Sequence, residues 1–187
     1  GADELRRRAR SVLQAVEPDL ELALAILEAD RVVTPYAFVF DPRQANIAGV
    51  PPWIRATAYR IRTLPAAEEP NAVPAPAGLI VPAPQIASAG VSTGHVTLLL
   101  EPDGSLRAAL PAIAHAGELY PSLPVEILRR HLGLPPDQLA IEGGAVLRLG
   151  DRRVPLAPAG RHLVNHYGPQ GTLPTYALVD VIRGRVD

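Results

Sequence analysis

The chain has 187 residues, a formal net charge of −1 from 18 basic and 19 acidic side chains, and neither cysteine nor methionine. That balance removes the bulk electrostatic attraction nucleic acid requires, and the lack of cysteine excludes disulfides, thiol nucleophiles and cysteine-based zinc sites. Every basic residue is arginine, so a P-loop lysine and a Schiff base are excluded as well.

The length suits one domain over residues 1–187, burying about two-thirds of the surface its unfolded form exposes. No apolar run approaches the roughly 18 residues of a membrane span. No leader peptide is visible, and without a starting methionine the chain reads as a piece of something larger.

Residues 3–16, "DELRRRARSVLQAV", place Leu5, Ala9, Val12, Leu13 and Val16 on one helix face, with Asp3 as its cap. Arg6, Arg7, Arg8 and Arg10 fall mostly off that face and read as a solvated surface. A second helix is predicted from Asp19, with Leu20, Ala23, Leu24 and Leu27 inward and Leu22 and Ile26 widening the stripe. "RVVTPYAFVF" (31–40) is the nearly unbroken apolar run of a strand buried on both faces. Its Pro35 argues for an edge or a bulge.

Trp53 follows in "PPWIRATAYRIR", an aromatic suited to closing a core edge or to serving as a ligand platform. Residues 64–90, rich in proline, read as an irregular excursion. "GHVTLLL" and "LRAAL" are predicted to pair as a hairpin around Asp103-Gly104, and "AVLRL" with "RRVPL" around Gly150-Asp151. Between them "PSLPVEILRRHLG" is a helix capped by Ser122, with Leu123, Ile127 and Leu128 inward and Gly133 at its exit. "RHLVNHY" reads as a strand and "TYALVDVIRG" as a last helix closed by Gly184. The expected fold is α/β: a mixed sheet with flanking helices and, in the second half, antiparallel hairpins.

Gly90-Val91-Ser92-Thr93-Gly94 matches the G-x-S-x-G nucleophile elbow of serine hydrolases. That elbow needs a strand entering and a helix leaving, whereas here a strand-like run leaves. His162 and His166 would share a strand face about 13 Å apart, too far for one metal ion. His95, His115 and His131 are isolated. The corner "YGPQGT" offers glycine N–H groups to an anion, but Pro169 and Pro174 lack that donor and the dinucleotide glycine spacing is missing.

The order of these elements resembles the second type of CHASE domain. The markers are "DLELALAILEADRVVTPYAF", "GHVTLLLEPDGSLRAALP", "YPSLPVEILRRHLG" and "VPLAPAGRHLVNHYGPQGTLPTYALVDVIRGRV". Within them Gly94, Asp103, Gly104, Gly160, Gly168, Pro169, Asp180 and Gly184 are the structural punctuation. Where the family pattern has an aromatic directly after the asparagine, His166 follows Asn165 and Tyr167 stands beside Gly168. The family's opening strand and closing strand are missing, so the chain reads as most of the domain.

The resemblance implies an extracytoplasmic sensor domain of a bacterial membrane receptor, with an adenylate or guanylate cyclase or a histidine kinase as output. It implies no catalytic residue, no metal and no cofactor, an unknown small-molecule or envelope signal, and a homodimeric parent. Membrane attachment would come only through flanking segments. Trp53, Tyr59, His95, Arg107, Asn165 and Tyr167, near turns and strand ends, are the candidate ligand-contacting residues. The alternatives from other classes are a small serine hydrolase using Ser92 and a protein-interaction module.

Overall fold

The computed structural model describes residues 4, 18–47, 49–61, 75–143, 145–169 and 171–186. The first predicted helix, apart from Glu4, and the first part of the proline-rich excursion lie outside them.

Helix α1 occupies residues 18–29 and ends through Asp30, which adopts a positive φ of 46°. Its inner face is narrower than the leucine pattern predicts. Only Ala23 and Ile26 are buried, packed with Ala89, Val32 and Ile86, while Leu20, Leu22, Leu24 and Leu27 are at least half exposed.

Strand β1 (Val33–Val39) follows at once. It is the centre of a three-stranded sheet, antiparallel to β3 (Gly78–Ile80) and parallel to β4 (Ser92–His95). β2 (Arg60–Ile61) belongs to a second sheet. Pro35 is therefore on a central strand and not at an edge. Val91 donates its backbone N–H to Val32 and Val96 donates to Tyr36, so the even-numbered peptides of β1 face β4 and the odd-numbered ones face β3. β3 pairs only with residues 37–39. The donor that Pro35 lacks is thus on a side where no strand is waiting for it.

The excursion is more regular than its prolines suggest, since 78–80 form β3 and α3 spans Pro84–Ala89. Short helix α2 (Pro52–Arg55) starts on a proline, as α3 does, where a missing N–H costs no hydrogen bond.

The Asp103-Gly104 turn forms, with Gly104 at φ 78° and the Asp103 carboxylate accepting from the Ser105 N–H and hydroxyl. The strands around it do not pair with each other. β5 (Ala108–Ala109) pairs with β11 (His162–Leu163), a contact across more than fifty residues. The antiparallel hairpins lie further on. β6 (Ala112–His115) turns at Ala116-Gly117 into β7 (Glu118–Pro121). β8 (Leu139–Glu142), β9 (Val146–Leu149) and β10 (Arg152–Pro155) form a meander, with β2 parallel to β8. The fold is the expected mixed α/β, with small sheets in place of one large sheet.

Helix α4 (Leu123–His131) packs on β4 and β1. Its inward face is Val125, Glu126 and Arg129, whereas Ile127 and Leu128 are exposed, so the predicted stripe is rotated. Ser122 precedes the helix but its side chain makes no capping bond. The last helix, α5 (Leu178–Ile182), is short and exposed and ends at Gly184.

Two main cores result. Tyr36, Phe38, Ile54, Leu79, Leu110, Ile113 and Tyr120 form one beneath the three-stranded sheet. Tyr59, Leu119, Val125, Leu139, Ile141, Leu147 and Leu149 form the other beneath the meander.

Gly94 sets how closely α4 approaches. A Cβ built there would lie 2.6 Å from the Leu123 Cα, 2.7 Å from its nitrogen and 2.9 Å from the Ser122 carbonyl carbon. All three are backbone atoms and cannot swing away. Gly94→Ala is expected to lose about 1–3 kcal/mol or more through overpacking, measured by urea unfolding. Gly49→Ala, where nothing among the described residues lies within 4 Å, should leave stability nearly unchanged.

Candidate functional site

A groove of about 700 Å³ runs between α2, the α3–β4 junction and the C-terminal end of α4. That volume lies within the roughly 300–1,000 Å³ usual for small-molecule sites. Trp53 and Thr57 contribute from the α2 side, Ser88, Ser92 and Thr93 from the junction, and Arg129, Arg130, Leu134 and Pro135 from the other wall.

Ser92 anchors a buried polar network. Its hydroxyl donates to Glu126 Oε1, and Arg129 grips the same carboxylate with two bonds, Nε to Oε2 at 2.8 Å and Nη2 to Oε1. The third committed donor of Arg129, Nη1, reaches the Leu134 carbonyl in the loop after α4. The carboxylate and guanidinium are 1% and 6% exposed, so the pair works without solvent screening and each partner needs the other. The i, i+3 spacing on one helix face brings them together.

Neighbouring phenols feel the same carboxylate. Burial pushes the Tyr36 and Tyr59 hydroxyls well above their ordinary range, and the charge of Glu126 adds to both.

The serine of the G-x-S-x-G match is thus placed as a structural hydrogen-bond donor. Helix α3 precedes it and strand β4 contains it, the reverse of a nucleophile elbow. Its partner is a carboxylate already held by arginine, with no imidazole in the chain of bonds.

The six candidate contact residues lie in three places. Trp53 is half-buried in α2, packs on the first core and lines the groove. Tyr59 and His95 are interior: Tyr59 donates to the Pro111 carbonyl at 3.3 Å, and His95 stacks edge-on to Tyr36 and Phe38. Arg107, Asn165 and Tyr167 are exposed, Arg107 just before β5 and the other two after β11. Arg107 pairs with Asp103 at 2.7 Å, stapling the turn, and its carbonyl accepts from Val164. Asn165 and Tyr167 border a shallow hollow of about 360 Å³ with Gly168, Pro169 and Thr172.

In that corner Pro169 accepts from the backbone and hydroxyl of Thr172, and α5 begins only at Leu178. Gly160, Gly168 and Gly184 all adopt positive φ, and Asp180 pairs with Arg185 at 2.6 Å. His166 hydrogen-bonds the Leu106 carbonyl at 3.2 Å. Among the described residues no group of three or more His, Cys, Asp or Glu side chains is gathered for a metal ion.

Glu126 and Arg129 are the site residues that sequence reasoning missed. Their signal was present as an opposite-charge i, i+3 pair within "VEILRR", hidden by the competing aliphatic stripe.

A family model for the CHASE2 domain matches residues 2–187. The chain belongs to the CHASE2 family. CHASE2 domains are extracytoplasmic sensory domains, so the chain is a sensory domain and not a catalytic one. No curated protein and no solved structure matches it. Among the described residues no helix is long and apolar enough to cross a membrane.

Two outcomes test this interior. Arg129→Met leaves the Glu126 carboxylate buried and unpaired, and should lose about 3–5 kcal/mol in urea unfolding. The double variant Glu126→Gln/Arg129→Met should recover much of that.

Burial pulls the His95 imidazole down to about 3, and among the described residues neither ring nitrogen has a hydrogen-bond partner. The unfolded chain takes up the proton near 6.5 while the folded chain does not, so stability is lost as pH falls from 6.5 toward 3. His95→Phe should flatten the pH dependence in that window by up to one proton, about 1.4 kcal/mol per pH unit.

Proposed function

We propose that this CHASE2 domain is the ligand-receiving head of a bacterial transmembrane signalling protein with an adenylate or guanylate cyclase as its cytoplasmic output. A histidine kinase output is the nearest variant. Residues 1–187 act as one domain outside the cytoplasm, flanking segments carry the membrane attachment, and the parent receptor works as a homodimer.

The observation that carries the reading is the groove beside Ser92, lined by apolar residues, by serine and threonine, and by Arg129 and Arg130. Its polar lining is bonded to α4, and α4 lies on the sheet whose central strand leads back to α1. A ligand that bound two arrangements of these elements unequally would bias the equilibrium between them. Coupling of about 1–3 kcal/mol is sufficient for an allosteric signal. The half-exposed leucines of α1 supply apolar surface for pairing between copies.

A thermal-shift screen of small metabolites tests the reading. A ligand present at 100 times its Kd should stabilise the domain by about 2.7 kcal/mol through mass action. The shift should shrink in Ser92→Ala, which frees Glu126 from its tie to β4. A fluorophosphonate probe should leave Ser92 unlabelled. Labelling that disappears in Ser92→Ala, together with ester turnover, would replace the sensor reading with a hydrolase.

A further inference from the structure

We infer that the groove selects a small organic anion: a carboxylate on an aromatic or aliphatic body. This deepens the sensor reading and rests on the groove being the ligand site.

The charge around the groove is lopsided. Among the described residues its lining includes two arginines, Arg129 and Arg130, and no Asp or Glu. Glu126 is bonded to Arg129 and Ser92, and its charge is matched by that of Arg129. Arg130 is exposed and, among the described residues, has no ion pair. One positive charge is left over at the mouth of a concave, low-dielectric wall, where its field on an incoming anion is focused.

The donors are also unbalanced. A guanidinium carries five N–H groups. Arg129 commits three, two to Glu126 and one to the Leu134 carbonyl, and those bonds fix the plane of the fork. Among the described residues its other two donors have no acceptor, on a 6% exposed side chain of a groove-lining residue. Burial makes such unused donors costly until an acceptor arrives, and a carboxylate is the acceptor that matches a fork.

An ammonium group would meet a net positive wall, and a neutral amide would give up the charge-assisted part of the bond. The remaining wall argues for a body as well as a charge. Trp53, Leu134, Pro135 and Ala87 present apolar surface beside the arginines, which inorganic phosphate could not cover.

The test uses benzoate and phenylacetate, their neutral amides, benzylamine and inorganic phosphate. Each is titrated against the isotope-labelled 187-residue chain and followed by amide chemical shifts around Ser92 and Gly133. Expected are shifts with the two carboxylates and a Kd at least about tenfold weaker for the amides, reflecting loss of charge-assisted bonds. Arg130→Gln, at an exposed position that leaves the fold intact, should weaken carboxylate binding by a similar factor.

If the amides or benzylamine bind the groove as tightly as the carboxylates, or Arg130→Gln changes nothing, the anion selectivity is overturned and the groove keeps its role. Phosphate binding as tightly as phenylacetate overturns the need for an apolar body. If no compound of any kind shifts the groove resonances, the sensor site itself is overturned with it.

Discussion

One close approach governs the architecture: the backbone at the start of α4 rests directly on the bare Cα of Gly94. No side chain separates helix from strand there, so the first turn of α4 lies nearer the sheet than ordinary helix-on-sheet packing permits. Everything downstream takes its angle from that seat. The helix presents Val125, Glu126 and Arg129 to the interior and turns Ile127 and Leu128 outward. A parallel bridge between His95 and Ser122 extends the same contact along the strand.

A consequence of the seat is that a charged pair occupies a position an aliphatic pair would fill more cheaply. Buried ion pairs are weak sources of net stability, because desolvation offsets most of the attraction. Here the pair connects three separate pieces of chain: β4 through Ser92, α4 itself, and the following loop through Leu134. Those pieces surround the groove. A polar network with directional bonds holds them in one relative geometry, which undirected apolar packing would fix less sharply.

The fold class, the Gly150 hairpin, the Asp103-Gly104 turn and the exits at Gly133 and Gly184 were legible because they depend on local backbone chemistry. Pairing partners were not. "LRAAL" reads as the return strand of its own hairpin, yet Ala108–Ala109 pair with His162–Leu163, a choice decided by tertiary packing. Pro35 looked like an edge residue because periodicity cannot say how far a neighbouring strand extends. On α4, the aliphatic side chains of Leu123, Ile127 and Leu128 outweigh Glu126 and Arg129 on any hydropathy scale, so the hydropathy pattern points the wrong side inward. The groove shows the same limit. Ser92 stands in a catalytic pattern it does not serve and Trp53 is an aromatic suited to a ligand platform, while the carboxylate joining strand to helix carries only its charge and spacing.

Helix α1 passes into β1 through Asp30, Arg31 and Val32 alone, and Val33 is already in register with Ser92. No flexible linker intervenes to absorb a displacement. A pull or twist applied along α1 is therefore delivered within a few peptide units to the strand alongside the groove, and a shift of that strand is delivered back. The mechanical path between helix α1 and the groove is a short, stiff rod with a single left-handed knuckle at Asp30.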